Sequence, residues 1–112
     1  MKWKIEFYKD HRGNEPVKEF ISILPPKEKA KVVWIIELLE LLGINLVEPH
    51  AKHIEGDLWE LKPQSNRVLY FLCTKTFVLL HGFRKTTQKT PKAEIRIARA
   101  RMKEHLNKEG KL

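Results

Sequence analysis

Leu80-His-Gly-Phe-Arg-Lys-Thr-Thr-Gln-Lys-Thr-Pro91 reads as the end of a buried strand, then a basic loop rich in hydroxyls, then the first turn of a helix. A strand end of this kind delivers His81, Arg84 and Lys85 to one place, which suits the handling of a phosphodiester. Two upstream segments, Leu58-Trp-Glu-Leu-Lys62 and Arg67-Val-Leu-Tyr70, read as the neighbouring strands. Short turns join the three, at Pro63–Asn66 and near Lys75, so strands are expected over about 58–62, 67–73 and 77–85.

Working outward, Lys2–Tyr8 alternates, with Trp3, Ile5 and Phe7 on one side and Lys4, Glu6 and Tyr8 on the other, the pattern of a half-buried strand. Glu15–Leu24 can form a short helix with Val17, Phe20, Ile21 and Leu24 on one face. Pro25-Pro26 opens a longer helix that runs through Leu42 and stops at Gly43. Residues 44–57 read as a linker containing Pro49 and Gly56. Thr90 is placed to cap the last helix, with Pro91 at its first position and Ile95, Ala98, Met102 and Leu106 as its buried stripe. The order β-α-α-β-β-β-α predicts an α+β domain over residues 1–112: an N-terminal strand, a helical hairpin, a three-stranded antiparallel meander and a C-terminal helix.

Strand parity tests whether the polar residues converge. A four-residue turn at 63–66 sets Lys62 opposite Arg67 and Glu60 opposite Leu69. A three-residue turn at 74–76 sets Cys73 opposite Phe77, Leu69 opposite His81 and Arg67 opposite Phe83. Glu60, Lys62, Arg67, His81 and Lys85 then share one face near one end of the sheet. Trp59, Leu61, Val68, Tyr70, Leu72, Val78 and Leu80 form the core face against the helices. A two-residue last turn would instead bring Arg84 to the site and turn His81 away.

Such a constellation can cleave RNA without a metal. The 2′-OH attacks its own phosphate when a base takes its proton, cations stabilise the phosphorane and an acid protonates the leaving 5′-oxygen. Arg67 can hold a phosphate bidentately, and Lys85 adds a point charge. His81 titrates closest to neutrality and is the natural acid or base. Glu60 is either a base or the group that orients Lys62 or Arg67.

Charge segregation adds a binding surface. Residues 1–83 hold 12 Lys/Arg against 11 Asp/Glu, whereas residues 84–112 hold 10 against 3. A cationic C-terminal quarter is the footprint of a polyanion. Lys92, Arg96, Arg99 and Lys103 fall on one helical stripe; with Lys52, Lys62, Arg84 and Lys89 they make the candidate RNA-binding set. His50 and His53 lack a third ligand, so no metal or cofactor is implied. Cys73 is the only cysteine and reads as a small core residue. No signal peptide and no span of 18 or so apolar residues is present, so the cytoplasm is the expected location and no membrane partner is expected.

Leu58–Lys62, Arg67-Val-Leu-Tyr-Phe71 and Leu80–Pro91 with the helix after it resemble the RelE/ParE superfamily of toxins, in its phage-derived HigB-like branch. The helical hairpin before the sheet fits as well. The resemblance implies the toxin of a type II toxin–antitoxin pair, with a helix-turn-helix antitoxin as partner. It also implies metal-independent cleavage of mRNA on the translating ribosome by basic residues of the sheet. By position, Arg67 and Lys85 are similar to the family's phosphate-binding cations, and Lys52 to one of the lysines preceding the second strand. RelE-type enzymes often use a C-terminal tyrosine. None follows Tyr70 here, which leaves His81 as the acid/base candidate. Two alternatives are a ParE-like inhibitor that binds DNA gyrase and an RNA-binding module without activity.

Overall fold

A computed structural model describes residues 2–110. The strands are β1 (Lys4–Phe7), β2 (Ala51–Glu55), β3 (Leu58–Leu61), β4 (Asn66–Cys73) and β5 (Thr76–Arg84). The helices are α1 (Pro16–Ser22), α2 (Pro26–Leu42) and α3 (Lys92–Lys108), with a 3-10 turn at Gly43–Asn45. One five-stranded sheet runs in the order β1-β5-β4-β3-β2. β1 lies parallel to β5, and the other pairs are antiparallel. No helix among the described residues is long and apolar enough to cross a membrane.

The meander is therefore the centre of a larger sheet. β2 lies in the stretch expected to be a linker. Its sequence hides it, because Lys52, His53 and Glu55 are exposed and only Ala51 is buried. Charges on an edge strand discourage pairing with other chains, and they also erase the apolar alternation by which a strand is recognised.

Both faces of the sheet are covered. Val17 of α1 and Val32, Ile35 and Leu39 of α2 pack with Leu61, Val68, Tyr70, Phe77 and Leu79. Ala98, Ile95, Met102 and Leu106 of α3 pack on the other side, with Leu58, Leu69, Phe71, Val78, Leu80 and Phe83. The single core face expected from parity is thus corrected. Trp59, Leu61, Val68 and Tyr70 do face α1 and α2, but Val78 and Leu80 belong under α3.

The correction has a local cause. The last hairpin turn holds two residues, since Cys73 pairs with Thr76 and not with Phe77. A register shift then falls between Leu69 and Tyr70, which pair with His81 and Leu79 and leave Leu80 as the extra residue. That bulge restores the pairing expected further along: Leu69 with His81, Arg67 with Phe83. At the site end of the strands the predicted register holds, although the turn behind it does not.

Two glycines let elements approach closely. Gly43 ends α2 at φ +56, and a Cβ there would lie 2.1 Å from Nε1 of Trp3. A Cβ on Gly82 would lie 2.4 Å from the ring of Phe20, so the glycine lets α1 sit on β5.

Candidate functional site

Arg67 stands on β4 near the Pro63–Asn66 turn and is only 8% exposed. One guanidinium nitrogen, Nη1, donates to the carbonyl oxygens of Gln64 and Asn66, and so closes that turn from inside. Nε lies 3.6 Å from Oε1 of Glu60 and makes no hydrogen bond. Burial pulls the Arg67 pKa down, opposed by the charges of Glu60 and Glu48.

Glu60 is 1% exposed. A buried carboxylate is costly unless it is paired and hydrogen-bonded. Arg67 supplies the charge, and the Thr90 hydroxyl donates to Oε2 at 2.5 Å. Thr90 therefore does not cap α3 as its position before Pro91 predicts; Pro91 itself occupies the cap position, without a side-chain bond. The amides of a helix end can be reached by water, whereas Glu60 cannot, so the hydroxyl goes where its loss would cost more.

Lys85 follows β5 and donates its backbone N–H to the Ser65 carbonyl at 2.7 Å. Its ammonium pKa is held below the ordinary lysine range, first by desolvation and then by Arg67, with Lys62 and Lys52 adding to the effect and Glu60 opposing it. The same charges thus reach Lys85 from β2, β3 and β4. Lys52 pairs with Glu60 across β2 and β3. Lys62 is tied to Glu48 at 2.9 Å. Arg67 and Lys85 open into a shallow groove of about 680 Å³, lined also by Gln64, Ser65, Thr86 and Gln88.

Two expected members lie elsewhere. Arg84 is exposed on the opposite face, where it bonds Glu28 of α2 at 2.5 Å, beside the amide of Asn66. His81 shares a face with Glu60, as parity predicts, but α3 covers it. Its Nε2 meets Oε1 of Glu94 at 2.7 Å, its Nδ1 lies 3.2 Å from Nη1 of Arg101, and its ring stacks on Phe83 at 5.6 Å. Arg101 can only donate, so the partners assign the Nε2–H tautomer. Burial lowers the His81 pKa, and the hydrogen bond to Glu94 opposes that shift. The bulge brings this about, because Leu80 and His81 both serve the α3 side and Arg101 binds the Leu80 carbonyl at 2.9 Å.

Lys89 is exposed in the loop after β5. Lys92, Arg96, Arg99 and Lys103 are exposed on α3, as the stripe predicts, but Arg99 pairs with Glu55 of β2. Thr90 and Glu48 were not legible as site residues. Nothing local marks a threonine as the partner of a glutamate 30 residues away, and Glu48 sits in the stretch read as a linker. A second concavity, of about 670 Å³, is lined by Gly43, Ile44, Leu46, Trp59, Tyr70 and Leu72 among others; it is mostly apolar and lies on the α1–α2 face.

The family described as Phage derived protein Gp49-like (DUF891) matches residues 19–103. No curated protein matches the sequence. The RelE chain of an archaeal RelE–RelB complex from Pyrococcus horikoshii OT3 matches with a TM-score of 0.58 at 18% identity, covering 76% of this chain and 97% of that one. At this identity the likeness speaks for the fold. The chain belongs to the phage-derived Gp49-like family, a RelE/HigB-type family, and folds as RelE does.

Proposed function

We propose that this chain is the toxin of a type II toxin–antitoxin pair and an endoribonuclease that cleaves mRNA without a metal on the translating ribosome. The observation that carries the reading is the groove at the strand ends, where Arg67 and Lys85 open together beside Lys52 and Lys62. Among the described residues, Lys85 has no carboxylate within ion-pair distance. A phosphate supplies the missing counter-charge.

Arg67 holds a non-bridging phosphate oxygen, fixed in place by the Gln64 and Asn66 carbonyls and by Glu60. Lys85 stabilises the charge of the phosphorane. Its lowered pKa also suits it to give a proton to the leaving 5′-oxygen. Glu60 orients Arg67 and, through Thr90, holds the loop at the rim of the groove. His81 would have to release Glu94 before it could take a proton from the 2′-OH, so its larger role is to seat α3. The proton of the attacking 2′-OH passes to Lys52, which pairs with Glu60 across β2 and β3 and so shares its face. Lys89 and the α3 stripe Lys92, Arg96, Arg99 and Lys103 contact RNA phosphates without reading sequence. The partner is a helix-turn-helix antitoxin that silences the toxin by binding it, in keeping with the RelE–RelB pairing of the structural relative.

The test is primer extension on an mRNA translated in the presence of purified protein. New 5′ ends should appear with the wild type and vanish with Arg67→Ala. Intact mRNA with lost DNA supercoiling would mean a gyrase inhibitor instead. RNA binding without cleavage would mean a binding module.

A further inference from the structure

His105, near the C-terminal end of α3, is 6% exposed, with its ring edge-on to Phe71 at 6.0 Å. Among the described residues it has no hydrogen-bond partner within normal distance. Two carboxylates stand at its ring nitrogens: Oε2 of Glu6 lies 3.8 Å from Nδ1, and Oε1 of Glu109 lies 3.6 Å from Nε2, while Lys9, Lys18 and Lys108 line the wider concavity around them. Both distances are too long for hydrogen bonds. They are near the ~3.4 Å that separates two ligand atoms each about 2.1 Å from a tetrahedral ion.

Neither carboxylate has another cation within ion-pair distance among the described residues. Lys108, the nearest candidate on α3, is turned to the Lys9 carbonyl and to Glu104. One ligand atom from each of Glu6, His105 and Glu109 can be chosen so that all three lie within 4.8 Å of one another. They border a concavity of about 300 Å³ lined also by Cys73, Thr74 and Thr76. Glu109 caps the end of α3, where the helix dipole is negative and favours a cation.

We propose that Glu6, His105 and Glu109 form a binding site for a first-row divalent cation, with Zn²⁺ as its first candidate, that clasps the edge strand β1 to the C-terminal end of α3. The buried imidazole is the anchor, and the two exposed carboxylates swing the remaining ångström to close on the ion. Water completes the coordination. His105 and Glu109 stand one helical turn apart, a spacing that presents both to one ion. The groove lies at the other end of β5, so the clasp serves stability and not the cleavage chemistry.

The experiment is calorimetric titration of the full-length chain, freed of metal, with ZnCl₂ near pH 7.5, together with its melting temperature with and without Zn²⁺. One ion should bind per chain and raise Tm by several degrees. Loss of a supporting group around a metal already costs about 10- to 100-fold in affinity, so Glu6→Gln and Glu109→Gln should each weaken binding at least tenfold. Both are exposed substitutions that should leave the fold intact. A double His50→Gln/His53→Gln variant should bind as the wild type does. The proposal is overturned if Zn²⁺ binds only in the millimolar range, if binding survives both glutamate changes, or if it follows His50 and His53. It is equally overturned if saturating Zn²⁺ leaves Tm unchanged.

Discussion

Two clusters of charge sit on the same face of the sheet, four residues apart along the chain, and they meet opposite fates. Around His81 every charge is answered: Glu94 takes one ring nitrogen, Arg101 faces the other and also binds the Leu80 carbonyl, and Phe83 stacks below. Around Lys85 the balance is left open: desolvation first, then Arg67, Lys62 and Lys52, depress its pKa against the single buried Glu60. A satisfied cluster holds a helix on a sheet. An unsatisfied one, opening into a groove, costs stability that only a ligand's charge returns. The contrast is why the proposed function rests on Lys85 and not on His81, the residue whose chemistry looks most catalytic in the sequence.

The largest effect that would sharpen this contrast is expected from Arg67→Ala. Removing a phosphate contact made in the transition state should cost on the order of 3 kcal/mol, at least about a hundredfold in cleavage rate. Arg67 also closes its own turn, so circular dichroism must show the variant folded before the rate is read. Undiminished cleavage by a folded variant would remove Arg67 from the site.

Thr90→Val comes next. It strands one oxygen of a buried carboxylate, and such a loss typically costs about 1–3 kcal/mol. A matching fall in denaturation free energy is expected, with a smaller loss of cleavage rate as Arg67 loosens. A variant as stable as the wild type would mean that water replaces the hydroxyl at Glu60.

His81→Gln should move stability more than catalysis, and its sign can be worked out. The folded-state pKa of His81 is depressed, so the unfolded chain takes the proton first. The penalty from this group is absent well above pH 6.5. It grows as pH falls from there toward the folded pKa, and is constant below it. Wild-type Tm should therefore fall more steeply than that of His81→Gln between pH 7 and pH 5. Parallel curves, with cleavage lowered about 10²-fold and a lost rate inflection near neutrality, would instead make His81 the acid/base.

The smallest effect belongs to the exposed stripe. Changing Lys92, Arg96 and Lys103 to Glu should weaken RNA binding and flatten its dependence on salt, with little change in the bound rate. An unchanged salt slope would return the stripe to plain solvated surface.

Much of this was legible in the sequence. The β4–β5 register at the groove follows from counting residues between Glu60 and Lys85, and it placed Arg67 opposite Phe83 correctly. It did so through two compensating departures, a shorter turn and a bulge at Leu80, neither of which leaves a mark in residue type. β2 was hidden because an edge strand answers to solvent and not to a core. The cover over His81 was illegible because it depends on Glu94 and Arg101 reaching down from a helix whose docking face was known only by its apolar stripe. The partner of Glu60 was missed for a related reason: Thr90 satisfies two local rules for a helix cap and obeys a distant carboxylate instead.

The most direct test compares two neighbours, Lys85→Ala and Arg84→Ala, in single-turnover cleavage of a translated mRNA followed by primer extension. The side chains are adjacent in sequence and face opposite sides of the sheet, with Arg84 bound to Glu28 and Lys85 open to the groove. If the groove performs the cleavage, Lys85→Ala should lose at least about tenfold in rate, as expected for loss of a proton donor or transition-state charge, and Arg84→Ala should stay within a few-fold of the wild type. Equal losses, or a larger loss at Arg84, would place the chemistry elsewhere and contradict the account.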